Sequence, residues 1–108
     1  MVKIQTFRAL ALSFPEVNEE PHFEKTSFRV RKKIFATYDE KQNRACLKLS
    51  ESEQDIFSIA SKGIIYPVPN KWGKQGWTFV DFEKVDPVLF EEALRSAYCQ
   101  VAPLKLKL

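Results

Sequence analysis

An α+β fold, with an antiparallel sheet covered on one face by helices, is predicted from three features of the sequence. Apolar residues recur at helical spacing near both ends of the chain, whereas residues 17–49 alternate in short aromatic and β-branched runs. A block of strands flanked by helices is typical of α+β proteins. With 108 residues and 44% hydrophobic composition, the chain can bury one core, which predicts a single domain over residues 1–108.

The first helix is predicted over residues 3–14. Its apolar residues have the i, i+3, i+4, i+7 spacing of one buried helical face, and they are Phe7, Leu10, Ala11 and Phe14. Pro15 follows and ends the helix, because proline has no backbone N–H with which to continue the hydrogen-bond ladder.

A block of antiparallel strands is predicted between Val17 and Leu49. The alternating runs are Phe28 with Val30, Ile34 to Tyr38, and Ala45 with Leu47 and Leu49. Hairpin turns are expected at residues 31–33 and 39–43, where charged and polar residues interrupt the runs. The first turn lacks the Gly or Asn that tight turns favour, because Lys32 and Lys33 stand there.

A second helix is predicted over residues 51–62, followed by an extended segment and a further strand. Ser50 and Glu53 form a capping box, in which each side chain can satisfy the other residue's free backbone N–H, and Gly63 supplies the C-terminal cap. Residues 64–72 contain two prolines and are expected to form an extended edge or a loop. Residues 77–82 alternate and should close the sheet.

The third helix is predicted to begin with Asp86 as its N-cap and Pro87 at its first position, and to end before Pro103. Its buried stripe repeats every 3.6 residues and consists of Phe90, Ala93, Leu94, Ala97, Tyr98 and Val101. Helical and strand periodicities meet in one apolar layer. This core is predicted to contain Phe28, Val30, Leu47, Leu49, Val80, Leu94 and Ala97.

Nothing in the sequence indicates an enzyme, a metalloprotein or a membrane protein. Cys46 and Cys99 have neither CxxC nor zinc-ligand spacing and are expected to be unlinked thiols, while the single His22 cannot build a multi-histidine metal site. Gly-rich phosphate loops and GxSxG strings are missing as well, so we predict neither cofactor nor metal. Without a signal peptide or an apolar run of about 20 residues, the chain is predicted to be cytoplasmic, with no membrane partner.

The positive charge of the chain is concentrated in residues 22–48. The net charge is only +3, from 17 basic and 14 acidic residues. Residues 22–48 alone carry eight Lys or Arg against three Asp or Glu. Such a local excess is what an anion-binding patch requires. Lys and Arg also protect exposed strand edges from aggregation, so charge alone leaves both interpretations open.

The open face of the sheet is predicted to combine this charge with aromatic rings. If Phe28 and Val30 pack under the helices, alternation turns Arg29 and Arg31 away from them. Basic groups neutralise phosphates and aromatic rings stack on bases. The residues assigned to this surface and to the adjoining loops are Arg29, Arg31, Lys32, Lys33, Lys48, Lys71, Trp72, Lys74 and Trp77. Alternatively, the two tryptophans fold over the sheet and Arg side chains stack on them as a self-contained cap.

Several motifs, taken in their order, are similar to those of the MmcQ/YjbR family. They are EEPHFEKTSFRVRKKIFAT at residues 19–37, LKLS at 47–50, WGKQGWTFVDF at 72–82 and VAP near the C-terminus. The resemblance covers nearly the whole chain. It implies a CyaY-like (frataxin-like) α+β fold and the family's description as predicted DNA-binding proteins with a double wing.

Two points qualify what the resemblance implies. Lys32 stands where the family commonly has Gly. It adds charge to the turn, but a positive φ there is less favourable for lysine than for glycine. The first helix has no carboxylate on its polar positions, so the iron binding of frataxins is not implied for this chain.

The leading hypothesis is a non-enzymatic DNA-binding protein of low sequence specificity that uses the basic and aromatic open face. The third helix does not resemble a recognition helix, since its polar positions include Glu91, Glu92 and Arg95. The alternative is a protein-interaction or small anionic ligand-binding module that uses the same face. An acid–base pair of His22 with Asp81 or Glu24 is the third option, but no nucleophile accompanies it.

Overall fold

The structure is a computed structural model that describes residues 2–107. Its strands are β1 (Val17–His22), β2 (Lys25–Val30), β3 (Lys33–Asp39), β4 (Arg44–Lys48), β5 (Ile65–Pro67) and β6 (Trp77–Asp81). Its helices are α1 (Ile4–Ser13), α2 (Glu51–Ala60), α3 (Lys71–Lys74) and α4 (Pro87–Val101), followed by a 3-10 helix, Leu104–Leu106. All strand pairs are antiparallel, in the order β1-β2-β3-β4-β6-β5. The predicted α+β class is confirmed.

An aromatic cluster attaches α1 and α4 to the same face of the sheet. The Phe7 ring of α1 lies 4.9 Å from Phe28 of β2, 5.4 Å from Phe82 and 5.2 Å from Phe90 of α4, measured between centroids. Tyr98 of α4 extends the cluster and donates its hydroxyl to the Pro15 carbonyl at 2.7 Å. Because these rings bury large areas, they supply most of the apolar layer between helices and sheet.

The predicted core is confirmed. Each of its seven residues is at most 1% exposed, and they are Phe28, Val30, Leu47, Leu49, Val80, Leu94 and Ala97. Val30 is buried while its neighbour Arg29 is partly exposed, so the register of β2 is the one that the alternation predicts.

The structure contains a helix and a strand that the sequence did not predict. The chain has a fourth, four-residue helix, α3, which begins inside the segment 64–72 that was expected to be extended; within that segment β5 does form the predicted edge. Gln75 and Gly76 then connect α3 to β6. At the other edge, β1 is a polar strand, which alternation did not reveal because its pattern is exposed almost throughout.

The first hairpin turn is tighter than predicted. Val30 pairs with Lys33, so the turn consists of Arg31 and Lys32 alone, and Lys33 belongs to β3. Both turn residues have positive φ, 48° and 71°, which is the pattern of a type I′ hairpin turn that normally favours Asn and Gly. Lys32 therefore has the positive φ that is unfavourable for a residue other than glycine.

A β-bulge interrupts the pairing of β2 with β3. Phe28 pairs with Ala36 and Arg29 pairs with Ile34, so Phe35 is the extra residue. Phe35 and Ala36 are both fully buried. As a result, Ile34 and Thr37 on either side of them both lie on the opposite face of the sheet.

No helix within residues 2–107 is long and apolar enough to cross a bilayer.

The two cysteines are free, as predicted, and the sheet separates their surroundings. Cys46 lies on β4 and Cys99 on α4. We expect 5 mM dithiothreitol to leave the Tm unchanged, because no cross-link contributes to stability. A thermal melt with and without reductant checks this, and a fall of more than about 4 °C would reveal a bond worth on the order of 1 kcal/mol.

Candidate functional site

The open face of the sheet is the side opposite α1 and α4. Alternation against the buried residues of β2, β3, β4 and β6 decides which side chains it carries. They are Lys25, Ser27, Arg29, Ile34, Thr37, Asp39, Arg44, Cys46, Lys48, Trp77, Phe79 and Asp81. Cations and aromatic rings therefore share this face.

A shallow pocket of about 340 Å³ lies on the open face. Its floor follows one row of paired residues across three strands, Thr37, Cys46 and Phe79. The rest of its lining lies around this row and consists of His22, Lys25, Ile34, Val68, Trp72 and Trp77. The apolar floor and the basic and aromatic rim together suit a ligand that has both a planar and an anionic part.

Cations cover two of the aromatic rings. The Arg44 guanidinium carbon lies 3.7 Å from the centre of the Phe79 ring, and the Lys48 ammonium lies 5.7 Å from that of Trp77. Lys48 also donates to the Gln75 carbonyl. The self-contained cap was predicted to consist of Arg side chains stacked on the two tryptophans. The structure shows stacking of a cation on a ring, but the arginine, Arg44, stacks on Phe79. The cap is incomplete, because Trp72 at the rim is still 49% exposed.

The cations of the open face have no ion-pair partners among residues 2–107. The salt bridges of this part of the chain are Arg8–Glu19, Arg31–Glu16, Lys41–Glu24 and Arg95–Glu91. Lys25, Arg29, Arg44 and Lys48 take part in none of them, and Arg29 instead donates Nε to the Ser27 hydroxyl at 3.1 Å. The positive charge of the face is thus left for a ligand to neutralise.

Asp39 and Asp81 are the strand neighbours of Arg44 on its two sides, in the backbone pairing of β4 with β3 and β6. Neither carboxylate forms a salt bridge with Arg44. Asp39 accepts a hydrogen bond from the Gln42 N–H at 3.3 Å, and Asp81 accepts one from the Glu83 N–H at 3.0 Å. Both carboxylates lower the positive potential around Arg44.

Arg31 does not join this surface, contrary to the prediction. It lies beyond the end of β2, in the turn, and its Nε and Nη2 donate to the two Glu16 oxygens at 3.0 and 3.1 Å. Hydrogen bonding to Arg31 holds the pKa of Glu16 below its usual value. Alternation failed at this position because the strand had already ended at Val30.

The other predicted site residues are divided between the face and its margins. Arg29, Lys48 and Trp77 lie on strands of the open face, and Trp72 forms the pocket rim. Lys32 and Lys33 are exposed at the hairpin turn, and Lys71 and Lys74 are exposed on α3. Lys25 and Arg44 also lie on the open face, although they were not among the predicted site residues. Continuing the alternation from Arg29 and Lys48 would have found them, because each lies four residues earlier on the same strand.

A buried glutamine fixes the segment that carries both tryptophans. Gln54 of α2 is 6% exposed, and its Nε2 lies 3.0 Å from the Gly73 carbonyl, 3.2 Å from the Trp77 carbonyl and 3.0 Å from the Thr78 hydroxyl. Removing this amide would leave buried acceptors unsatisfied, at about 1–3 kcal/mol. Gln54 therefore positions the pocket rim relative to β6.

The two glycines of the WGKQGW motif are required by close backbone contacts. A Cβ on Gly73 would lie 1.9 Å from the Val68 carbonyl oxygen, and one on Gly76 would lie 2.0 Å from that of Leu49. Gly76 also has a φ of 103° and accepts the Leu49 N–H at 2.9 Å. Any side chain at either position would push the tryptophans away from the sheet.

Cys46 at the pocket floor is protonated at neutral pH. Burial raises the pKa of its thiol to about 11, while the charges of Lys25 and Arg44 partly oppose that rise. The positive charges of Lys25 and Arg44 therefore act on the Cys46 thiol at the pocket floor.

We expect Gly76→Ala to lower the free energy of unfolding more than Gly63→Ala. Gly63 is the matched control, because its φ is 88° but nothing lies within 4 Å of the position of an added Cβ. Gly63→Ala should lose only the roughly 1–2 kcal/mol that the left-handed conformation costs a residue with a Cβ. Gly76→Ala adds a steric clash of about 1–3 kcal/mol. Urea denaturation measures both, and equal losses would contradict the contact argument.

Alkylation of Cys46 by iodoacetamide should be slow at pH 8, measured in a Cys99→Ser background. With a pKa of about 11, its thiolate fraction at pH 8 is roughly 200-fold below that of an unperturbed thiol. Because the thiol deprotonates as pH rises, the rate should increase about tenfold per pH unit between pH 8 and 10. Mass spectrometry follows the reaction, with urea-unfolded protein as the reference. A plateau in the rate by pH 9 would contradict the assignment.

Comparisons with known proteins agree with this fold. No curated protein shows significant sequence similarity to the chain. Among solved structures, the chain is similar to DR2400 of Deinococcus radiodurans, whose crystal structure is described with the family domain DUF419. The two are 24% identical with a TM-score of 0.82 over 97% of this chain and 82% of the other, a likeness that shows the fold alone. The YjbR family profile matches residues 12–100, which is most of the sequence, and the chain therefore belongs to the YjbR family.

Proposed function

We propose that the protein binds DNA with little sequence specificity, through the open face of its sheet, and that it is not an enzyme. The observation that carries this proposal is the position of Lys25, Arg29 and Lys48 on one face, with no carboxylate partner among the described residues. Phosphates are the natural counter-ions for such a face. The resemblance to a family described as DNA-binding supports the same ligand.

Low sequence specificity follows from what the open face is made of. Specific readout usually depends on a helix or a two-stranded ribbon that enters the major groove. Here α4 packs on the opposite side of the sheet, and α3 has only four residues. Strand side chains that end in ammonium and guanidinium groups contact phosphates, which carry no sequence information directly.

The basic hairpin turn adds a peripheral contact. Lys32 and Lys33 project at the end of β2 and β3, away from the Lys41–Glu24 ion pair that joins the turns at the other end of the sheet. We assign this hairpin as one wing of the double-wing arrangement, and Lys71 and Lys74 on α3 as the basic residues beside the pocket. A CyaY-like architecture and a cytoplasmic location belong to the same proposal.

A small anionic ligand is the second candidate, and the pocket of about 340 Å³ favours it. Such a ligand would need only the pocket and Lys25 in its lining. It would leave long DNA unbound.

The proposal predicts a loss of salt dependence when the face is neutralised. In the variant Lys25→Gln, Arg29→Gln and Lys48→Gln, binding to a random-sequence duplex should weaken. The log–log salt slope should fall by up to about 2.7, at roughly 0.9 per lost phosphate contact. Fluorescence anisotropy titrations between 20 and 200 mM NaCl measure both quantities.

The matched control removes the same charge elsewhere. Lys84→Gln, Arg95→Gln and Lys105→Gln change exposed residues that are not on the open face. This variant should retain most of the affinity. Equal weakening by the two variants would show that only net charge matters, and a parent protein that binds neither duplex nor single-stranded DNA at 20 mM NaCl would refute DNA binding by this face.

A further inference from the structure

The open face is too wide to read the bases of a duplex. Six strands at about 4.8 Å spacing extend roughly 24 Å, whereas the major groove of DNA is about 12 Å wide. The pocket lies within this broad face, with its floor on β3, β4 and β6. A paired base could not reach it, because duplex bases are stacked inside the helix. The bases of a single strand can be splayed outward and can enter such a pocket.

Trp72 is the most exposed aromatic ring of the pocket lining. Arg44 covers a face of Phe79, with its guanidinium carbon 3.7 Å from the ring centre, and Trp77 is only partly exposed. The Trp72 side chain, in contrast, stands 49% exposed at the pocket rim. An exposed large aromatic residue beside a pocket is typical of a binding surface.

The backbone of Trp72 is held rigidly although its ring is exposed. Its N–H donates to the Asn70 side chain at 2.8 Å, and the next residue, Gly73, donates its N–H to the Asn70 carbonyl at 3.0 Å. The Gly73 carbonyl is also fixed by Gln54. A ring on such a fixed segment loses little conformational freedom when it stacks on a ligand, and this favours binding.

Cations lie beside the ring and across the pocket from it. The Lys71 ammonium is 5.7 Å from the centre of the Trp72 ring, and Lys25 lines the opposite side of the pocket. A nucleotide stacked on Trp72 would therefore have basic groups on both sides for its phosphates. Stacking platforms combined with a basic track are the usual means of binding single strands without sequence preference.

We infer that the DNA taken by the open face is single-stranded, and that Trp72 stacks on one of its bases at the pocket rim. The inference rests on the proposed DNA-binding function and adds the form of DNA that is recognised. Lys25 and Lys71 neutralise the phosphates on the two sides of the pocket, and Trp72 discriminates between an unpaired and a paired base.

The test compares a 20-nucleotide oligo-dT with a 20-base-pair duplex by fluorescence anisotropy at 50 mM NaCl. The parent protein should bind the single strand at least tenfold more tightly. Trp72→Ala should weaken single-strand binding by about 5- to 150-fold and leave duplex binding within twofold. Trp72→Phe retains a stacking face and should stay within about fivefold of the parent for the single strand. Ile59→Ala, at an exposed apolar residue of α2, is the control and should change neither affinity.

A spectroscopic readout tests stacking directly. The chain has two tryptophans, so Trp77→Phe leaves Trp72 as the single tryptophan. Its fluorescence should be quenched as oligo-dT is added, in parallel with the anisotropy change. Circular dichroism confirms that each variant is folded.

The possible failures are distinguishable. If the duplex binds at least as tightly as oligo-dT, or if Trp72→Ala weakens both equally, the single-strand inference is wrong while the DNA-binding proposal stands. If thymidine monophosphate binds as tightly as oligo-dT, the site takes a small ligand and the inference is overturned. If no DNA binds at 20 mM NaCl, both proposals fail.

Discussion

The packing of α1 and α4 against one face of the sheet is the constraint on which the other features depend. Phe7 meets Phe28, Phe82 and Phe90 in one aromatic cluster, which removes that face from water. Because strand side chains alternate, Lys25, Arg29, Arg44 and Lys48 must then lie on the other face. The basic open face is thus a consequence of where the aromatic residues are buried.

A polar anchor at one end of the sheet gives the open face its shape. The Gln54 amide joins α2 to the Gly73 and Trp77 carbonyls, and Gly73 and Gly76 permit backbone contacts that no other residue would allow. These contacts bend residues 70–77 over the sheet edge and hold Trp72 above the pocket. The WGKQGW motif therefore has a structural explanation that is independent of any ligand.

The distribution of ion pairs separates two kinds of basic residue. Arg8, Arg31 and Lys41 each meet a glutamate near the edges and turns of the sheet. Lys25, Arg29, Arg44 and Lys48 on the open face take part in no salt bridge within residues 2–107. An excess of basic residues in the sequence cannot distinguish the two groups, because the partners come from distant parts of the chain.

The sequence by itself determined the α+β class, the buried core and the orientation of Arg29, Lys48 and Trp77, since these follow from helical and strand periods, which are local properties. The tertiary structure alone decided the rest. The β2–β3 turn and Glu16, 15 residues away, removed Arg31 from the open face, and the Phe35 bulge placed Ile34 and Thr37 at the pocket. Gln54 fixed the tryptophan segment from 19 residues away. Turn geometry, bulges and pairing between distant residues depend on how the elements pack, and no local period encodes them.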